Sequence, residues 1–183
     1  MADLIDYRAR RGQIKTLDVL AFQGRGLVSR GISAVTGGNV THVGMAVWIG
    51  PRLMLMESRE GRGGRLVWLS RELKGRRVLW FRPRAPIPHV LTSRALDWSM
   101  RAMGSGYSWR GVFRFVWRLL GLRLAAPDSL AYGNRFCSEL VAAAYRQAGV
   151  DLASGKLDSE TSPADVAASS ELTLMGQLEV VPD

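Results

Sequence analysis

The chain has one cysteine and two histidines, so thiol chemistry has few places to occur. Cys137 lies in Tyr132-Gly-Asn-Arg-Phe-Cys137-Ser-Glu-Leu-Val-Ala-Ala-Ala-Tyr-Arg-Gln-Ala-Gly149. Phe136, Leu140, Val141, Ala144 and Ala148 recur there at helical spacing, with Asn134 as N-cap and Gly149 as the C′ residue. Cys137 then falls in the first turn. Free N–H groups and the positive end of the helix dipole favour a thiolate there, which a cysteine nucleophile needs. A lone cysteine is more often a small buried apolar residue than a nucleophile. Partners decide between the two readings: a histidine, and a group to orient it.

His42 opens Thr41-His42-Val-Gly-Met-Ala-Val-Trp48-Ile, a strand of β-branched and large apolar residues that follows the break Gly37-Gly-Asn39. Leu53-Met-Leu-Met-Glu57-Ser58 returns from it. A tight turn at Gly50-Pro51 sets residue 42 opposite residue 59. Glu57 is then a same-face diagonal neighbour of His42, within reach of a long side chain. A slip of one residue would turn Glu57 to the other face. The other histidine, His89, follows Pro86-Ile-Pro88 in a linker and reads as a surface or capping residue. One cysteine and two scattered histidines do not make a zinc set, so no metal is expected. No Gly-x-Ser-x-Gly elbow is present, and Gly24-x-Gly26 is followed by Ser29, which is no dinucleotide fingerprint. No cofactor is expected.

The elements that must position these residues fit one domain in 183 residues. Residues 1–13 read as a flexible arm and 14–183 as the domain. Leu17–Phe22 reads as a short strand and 27–35 as a short helix. Arg65–Ser70 and Arg77–Arg82 are further strands, with a mobile basic loop over 59–64. Leu91–Met103 is helical, ended by Gly104-Ser-Gly106. Trp109–Leu122 is a second helix; Arg110, Arg114 and Arg118 stripe it, suiting one wet edge of a core helix or a membrane or partner surface. Thr161–Ser169 is a short helix with Pro163 in its first turn. Leu172–Leu174 and Leu178–Val181 read as a closing strand pair.

Net charge is +9, and ten basic residues stand against three acidic ones between Arg52 and Arg84. Such a surface attracts phosphates, acidic polymers or a charged partner. No nucleic-acid motif accompanies it, so nucleic acid is not the expected partner. No apolar run is long enough to span a bilayer. The N-terminus lacks a basic region followed by an apolar one, so no signal peptide is expected. The chain is expected to be cytoplasmic when made, and either virion-associated or exported by another route.

The order of motifs resembles a known family. Thr41-His42-Val-Gly44 and Met56-Glu57-Ser58 come first, then Gly104-Ser-Gly-Tyr107, Arg135-Phe-Cys137-Ser-Glu-Leu-Val141 and Thr161-Ser-Pro-Ala-Asp165. This looks like the circularly permuted branch of the NlpC-type, papain-like cysteine hydrolases, the YiiX/LRAT-like branch, in which the histidine strand precedes the cysteine helix. The resemblance covers about residues 15–175. It implies an α+β fold: a small antiparallel sheet or half-barrel packed on the cysteine-bearing helix. It implies Cys137 as nucleophile, His42 as base, Glu57 as orienting residue, and Tyr107 as a residue lining the substrate site. Family members often carry an aspartate after that tyrosine, where this chain has Ser108.

Three readings of function are open. One is a cysteine hydrolase cleaving an amide bond, with cell-wall (peptidoglycan) peptides the common substrates and lipids or acyl groups serving some permuted members. Another is a non-catalytic virion, assembly or interaction module on the same fold. A lipid-surface protein performing acyl transfer at an anionic membrane is a third reading. The partners implied are a cell-wall peptide or acyl substrate, an anionic membrane surface, or a phage structural protein.

Overall fold

The structure is a computed structural model that describes residues 3–24, 40–59, 63–102 and 137–180. It is a mixed α+β fold built on a seven-stranded sheet. The strands are β1 (Leu4–Asp6), β2 (Val19–Gln23), β3 (Val40–Ile49), β4 (Arg52–Arg59), β5 (Gly63–Trp68), β6 (Val78–Pro83) and β7 (Leu172–Glu179). Their spatial order is β1-β7-β6-β2-β3-β4-β5. The β1–β7 pair is parallel and the other pairs are antiparallel. The helices are α1 (Tyr7–Arg10), α2 (Leu69–Leu73), α3 (His89–Ala102), α4 (Cys137–Gln147) and α5 (Pro163–Ala167).

The central strands are buried on both faces, which is why β2 and the middle of β3 read as continuous apolar runs. Alternation along β3 divides the core. Val43, Met45 and Val47, with Met56 of β4, pack with Leu140, Val141, Ala144 and Tyr145 of α4 and Ala95 and Ala102 of α3. Ala46, Leu53 and Leu55 face the other way, with Leu20, Phe22, Trp80, Leu69 and Leu73. Burying a side chain of this size contributes roughly 1.5–3 kcal/mol. Tyr145 ties α4 to the start of the sheet by donating its hydroxyl to the Leu17 carbonyl.

The hairpin turns at Gly50, which has a φ of 56°. Its register runs from Met45 opposite Met56 to Ile49 opposite Arg52, the pairing that a turn at Gly50-Pro51 demands. The strand expected from Leu17 begins at Val19, because Leu17 takes a φ of 72° and turns the chain. The expected closing strand pair is one strand, β7, whose irregularity is absorbed opposite Trp80 and Phe81.

The N-terminal segment departs from the expected loose arm. Leu4–Asp6 pair with Gln177–Glu179, and Tyr7 is buried. Gly176 leaves the space that Ile5 fills; a Cβ there would collide with the Ile5 side chain. This docking uses main-chain hydrogen bonds and a vacant sheet edge, neither of which leaves an apolar period in residues 1–13. Arg59 and Gly63 are cross-strand partners, so the expected basic loop narrows to residues 60–62, outside the described residues. The helices expected over 27–35 and 109–122, with their arginine stripe, and the Gly104-Ser-Gly106 break also lie outside them. No helix among the described residues is long and apolar enough to cross a membrane.

Candidate active site

α4 begins at Cys137, and its buried face from Leu140 to Tyr145 fixes the helix against the sheet. Cys137 is half-buried. The backbone N–H groups of Val43 and Ser138 both donate towards its sulfur. The first belongs to β3 and the second to the opening turn of α4, so the thiol sits where the helix start meets the strand. The expected N-cap Asn134 lies outside the described residues.

His42 projects from β3 beside that thiol and is hydrogen-bonded to it. Its Nε2 lies 2.5 Å from Glu57 Oε2. Nδ1 is then the ring nitrogen left for the sulfur. The phenyl ring of Phe22, opposite His42 on β2, packs against the imidazole at 5.5 Å between centroids. The β2–β3 register shifts just beyond this pair, between Phe22 and Gln23. Such irregularities re-aim side chains near sites.

Glu57 reaches His42 diagonally across the β3–β4 pair. Between them on that face stands Gly44. A Cβ at Gly44 would lie 2.8 Å from the Met56 carbonyl oxygen and 3.3 Å from Glu57 Cβ. Glycine therefore leaves the space through which the carboxylate meets the ring. The Glu57 side chain is fully buried, and its second oxygen, Oε1, accepts from Arg65 Nε at 2.8 Å and from Arg65 Nη2. Arg65 stands directly opposite Glu57 on β5. Residue spacing alone does not point to Arg65, and Gly44 belonged to a motif without a role.

The electrostatics follow from these contacts. Burial disfavours the charged form of all three groups. At His42 the neighbouring Cys137 and Glu57 charges and hydrogen bonds overcome that cost and raise the pKa from 6.5 to about 9. At Glu57 burial is outweighed by His42, Arg65 and Arg59, which hold the carboxyl at about 2 instead of 4.5. At Cys137 burial is outweighed by the imidazolium and the two N–H donors, so the thiol is more acidic than its ordinary value. Together they favour a thiolate–imidazolium pair.

The expected substrate residue Tyr107 lies outside the described residues. His89 is the first residue of α3 and is exposed, away from the thiol's hydrogen-bond set.

No family model matches the chain, and no curated protein does. Among solved structures it matches the metalloprotein YiiX from Escherichia coli O157:H7 (DUF1105) with a TM-score of 0.69. The fold is similar to that of YiiX. The match covers 90% of this chain and 98% of that one, at 16% sequence identity. It fits a papain-like α+β architecture, and an identity this low carries the fold alone. YiiX is described as a metalloprotein. Here, among the described residues, no three His, Cys, Asp or Glu side chains form a group able to hold a metal ion. His42 and Glu57 are instead bonded to each other. Among the described residues, that donor set does not fit a metal.

Proposed function

We propose that the chain is a cysteine hydrolase of the circularly permuted, NlpC-type branch, cleaving an amide bond through an acyl-enzyme, with peptidoglycan peptides as its substrate class. One observation carries the reading. The His42 imidazole is bonded on one side to Cys137 and on the other to a buried carboxylate. A structural cysteine needs neither partner.

His42 holds the proton taken from Cys137, and the thiolate attacks the substrate carbonyl carbon. The developing oxyanion is met by N–H groups at the start of α4, where the free donors of the first turn point outward. As the C–N bond breaks, imidazolium passes its proton to the leaving amine. A thioester remains on Cys137. Neutral His42 then takes a proton from water, hydroxide attacks the thioester, and the carboxylic acid leaves as the thiol re-forms. Glu57 acts through the ring: it fixes orientation and tautomer and stabilises the imidazolium. Tyr107 is assigned to the substrate pocket by resemblance.

The test is cleavage of purified peptidoglycan stem peptides, followed by mass spectrometry. Wild type is expected to release new amine and carboxyl termini, and Cys137→Ser, which removes the nucleophile, to lose nearly all turnover, on the order of 10⁶-fold in kcat. Turnover of acyl lipids instead of stem peptides would move the substrate to a lipid ester. No turnover of either, with an unreactive Cys137, would favour an interaction module that uses the basic face.

A further inference from the structure

We propose that Arg65 is a positioning residue for this site, holding Glu57 in the one rotamer that serves His42. The inference rests on the thiol reading above and extends it by one residue on the next strand.

A carboxylate on a strand can present either oxygen to a neighbour, and it can rotate away. Here the two oxygens are divided. Oε2 meets His42 Nε2 at 2.5 Å, and Oε1 meets Arg65 through both Nε and Nη2. A planar guanidinium offering two donors fixes the plane of its partner as well as its distance. Arg59 is the other cation near Oε1, but its Nε stands 3.8 Å away, beyond hydrogen-bond range. Arg65 is itself held from behind. Its Nη2 lies 3.4 Å from Glu72 Oε1 on α2, and Glu72 Oε2 takes Arg59 and Arg76, each at 3.4 Å. The charges facing Glu57 are thus His42 from β3, Arg59 from β4, Arg65 from β5 and Glu72 from α2, with Cys137 of α4 beyond the ring. Cation and anion alternate from thiolate to Glu72. Glu57 is fully buried, and a buried carboxylate left with one partner takes up a proton more readily. Protonated, it no longer stabilises the imidazolium.

The test compares wild type, Arg65→Met and Arg65→Lys. The readouts are the iodoacetamide alkylation rate of Cys137 from pH 4 to 9 and ring titration of ¹⁵N-labelled His42 by NMR. His89, exposed at the start of α3, is the internal reference. Arg65→Met is expected to raise the Glu57 pKa by about 1–3 units, the range one arginine neighbour imposes. The acid limb of alkylation then moves up, about tenfold in rate for each unit of thiolate stabilisation lost. The hydrogen-bonded His42 Nε2–H resonance is expected to broaden or vanish. Arg65→Lys, which keeps the charge but loses the fork, is expected to recover the acid limb in part and the resonance less. A purely structural Arg65 would lower Tm in Arg65→Met and leave both readouts where wild type has them; that result overturns the proposal. If Arg65→Met does not fold, Arg65→Lys decides by the same two readouts. Failure of the underlying reading looks different: wild-type Cys137 would itself alkylate as a free thiol.

Discussion

At the residue scale the question is whether Cys137 is a nucleophile or a packed apolar group. Burial alone would raise its pKa and slow alkylation. The His42 imidazolium and the N–H groups of Val43 and Ser138 pull the other way and win. Iodoacetamide is therefore expected to label folded wild type near pH 6, where an ordinary thiol is almost wholly protonated. His42→Ala removes the largest stabilising contact and is expected to move the labelling midpoint towards the free value of about 8.5. Glu57→Gln keeps the imidazole and the helix start, and is expected to move it less. His89→Ala is expected to move nothing. Identical midpoints for wild type and His42→Ala would mean that the two residues do not act as a pair.

At the scale of elements, the site is assembled by a hairpin and one helix start, and glycine sets how closely the strands carry their side chains. Gly44 lies between His42 and Glu57, with the Met56 carbonyl oxygen 2.8 Å from where a Cβ would stand. That neighbour is backbone and cannot swing aside. Gly44→Ala is expected to part β3 from β4 locally, at a cost of about 1–3 kcal/mol typical of overpacking. The His42–Glu57 contact should lengthen with it. Urea denaturation with the alkylation profile checks this; an alanine variant with unchanged stability and profile would show that the strands have slack. Much of this hairpin was legible beforehand. A two-residue turn at Gly50-Pro51 sets a register that carries Glu57 to the face of His42, and the pairing found is that one, not the one-residue slip. Pro163 likewise announced α5; the capping box that Ser162 and Asp165 form there is what the structure adds. Arg65 was not legible, because its place opposite Glu57 depends on a third strand reached through residues 60–62. The docking of β1 was not legible either, since backbone pairing on a sheet edge leaves no side-chain signature.

At the scale of the molecule, the site's protons are coupled to folding. Glu57 is depressed from 4.5 to about 2, so its stabilisation is present above pH 4.5 and is lost as pH falls through about 2. His42 is raised from 6.5 to about 9, so its contribution is present below 6.5 and is lost as pH rises through about 9. Cys137 is lowered from 9.0, so its contribution is present above 9.0 and is lost as pH falls through its folded value. In the unfolded chain between pH 6.5 and 9.0, the pair carries one proton, on sulfur. In the folded chain it also carries one, on the imidazole. Folding then moves a proton without binding or releasing one, and these two groups give no slope in that window. Cys137→Ser breaks the balance. The unfolded variant carries no titrating proton on either group above 6.5, while folded His42 retains one for as long as its bond to Glu57 outweighs burial without the Cys137 thiolate. Relative to wild type, the variant is expected to lose stability as pH rises through this range, with a slope of up to about 1.4 kcal/mol per pH unit for one proton. Urea midpoints of the two proteins from pH 6 to 9.5 measure it, and every other titrating group cancels in the difference. Parallel curves, with NMR showing the variant's His42 ring still protonated through this range, would mean that wild-type Cys137 is a neutral thiol when folded, and the nucleophile reading would fall with the ion pair.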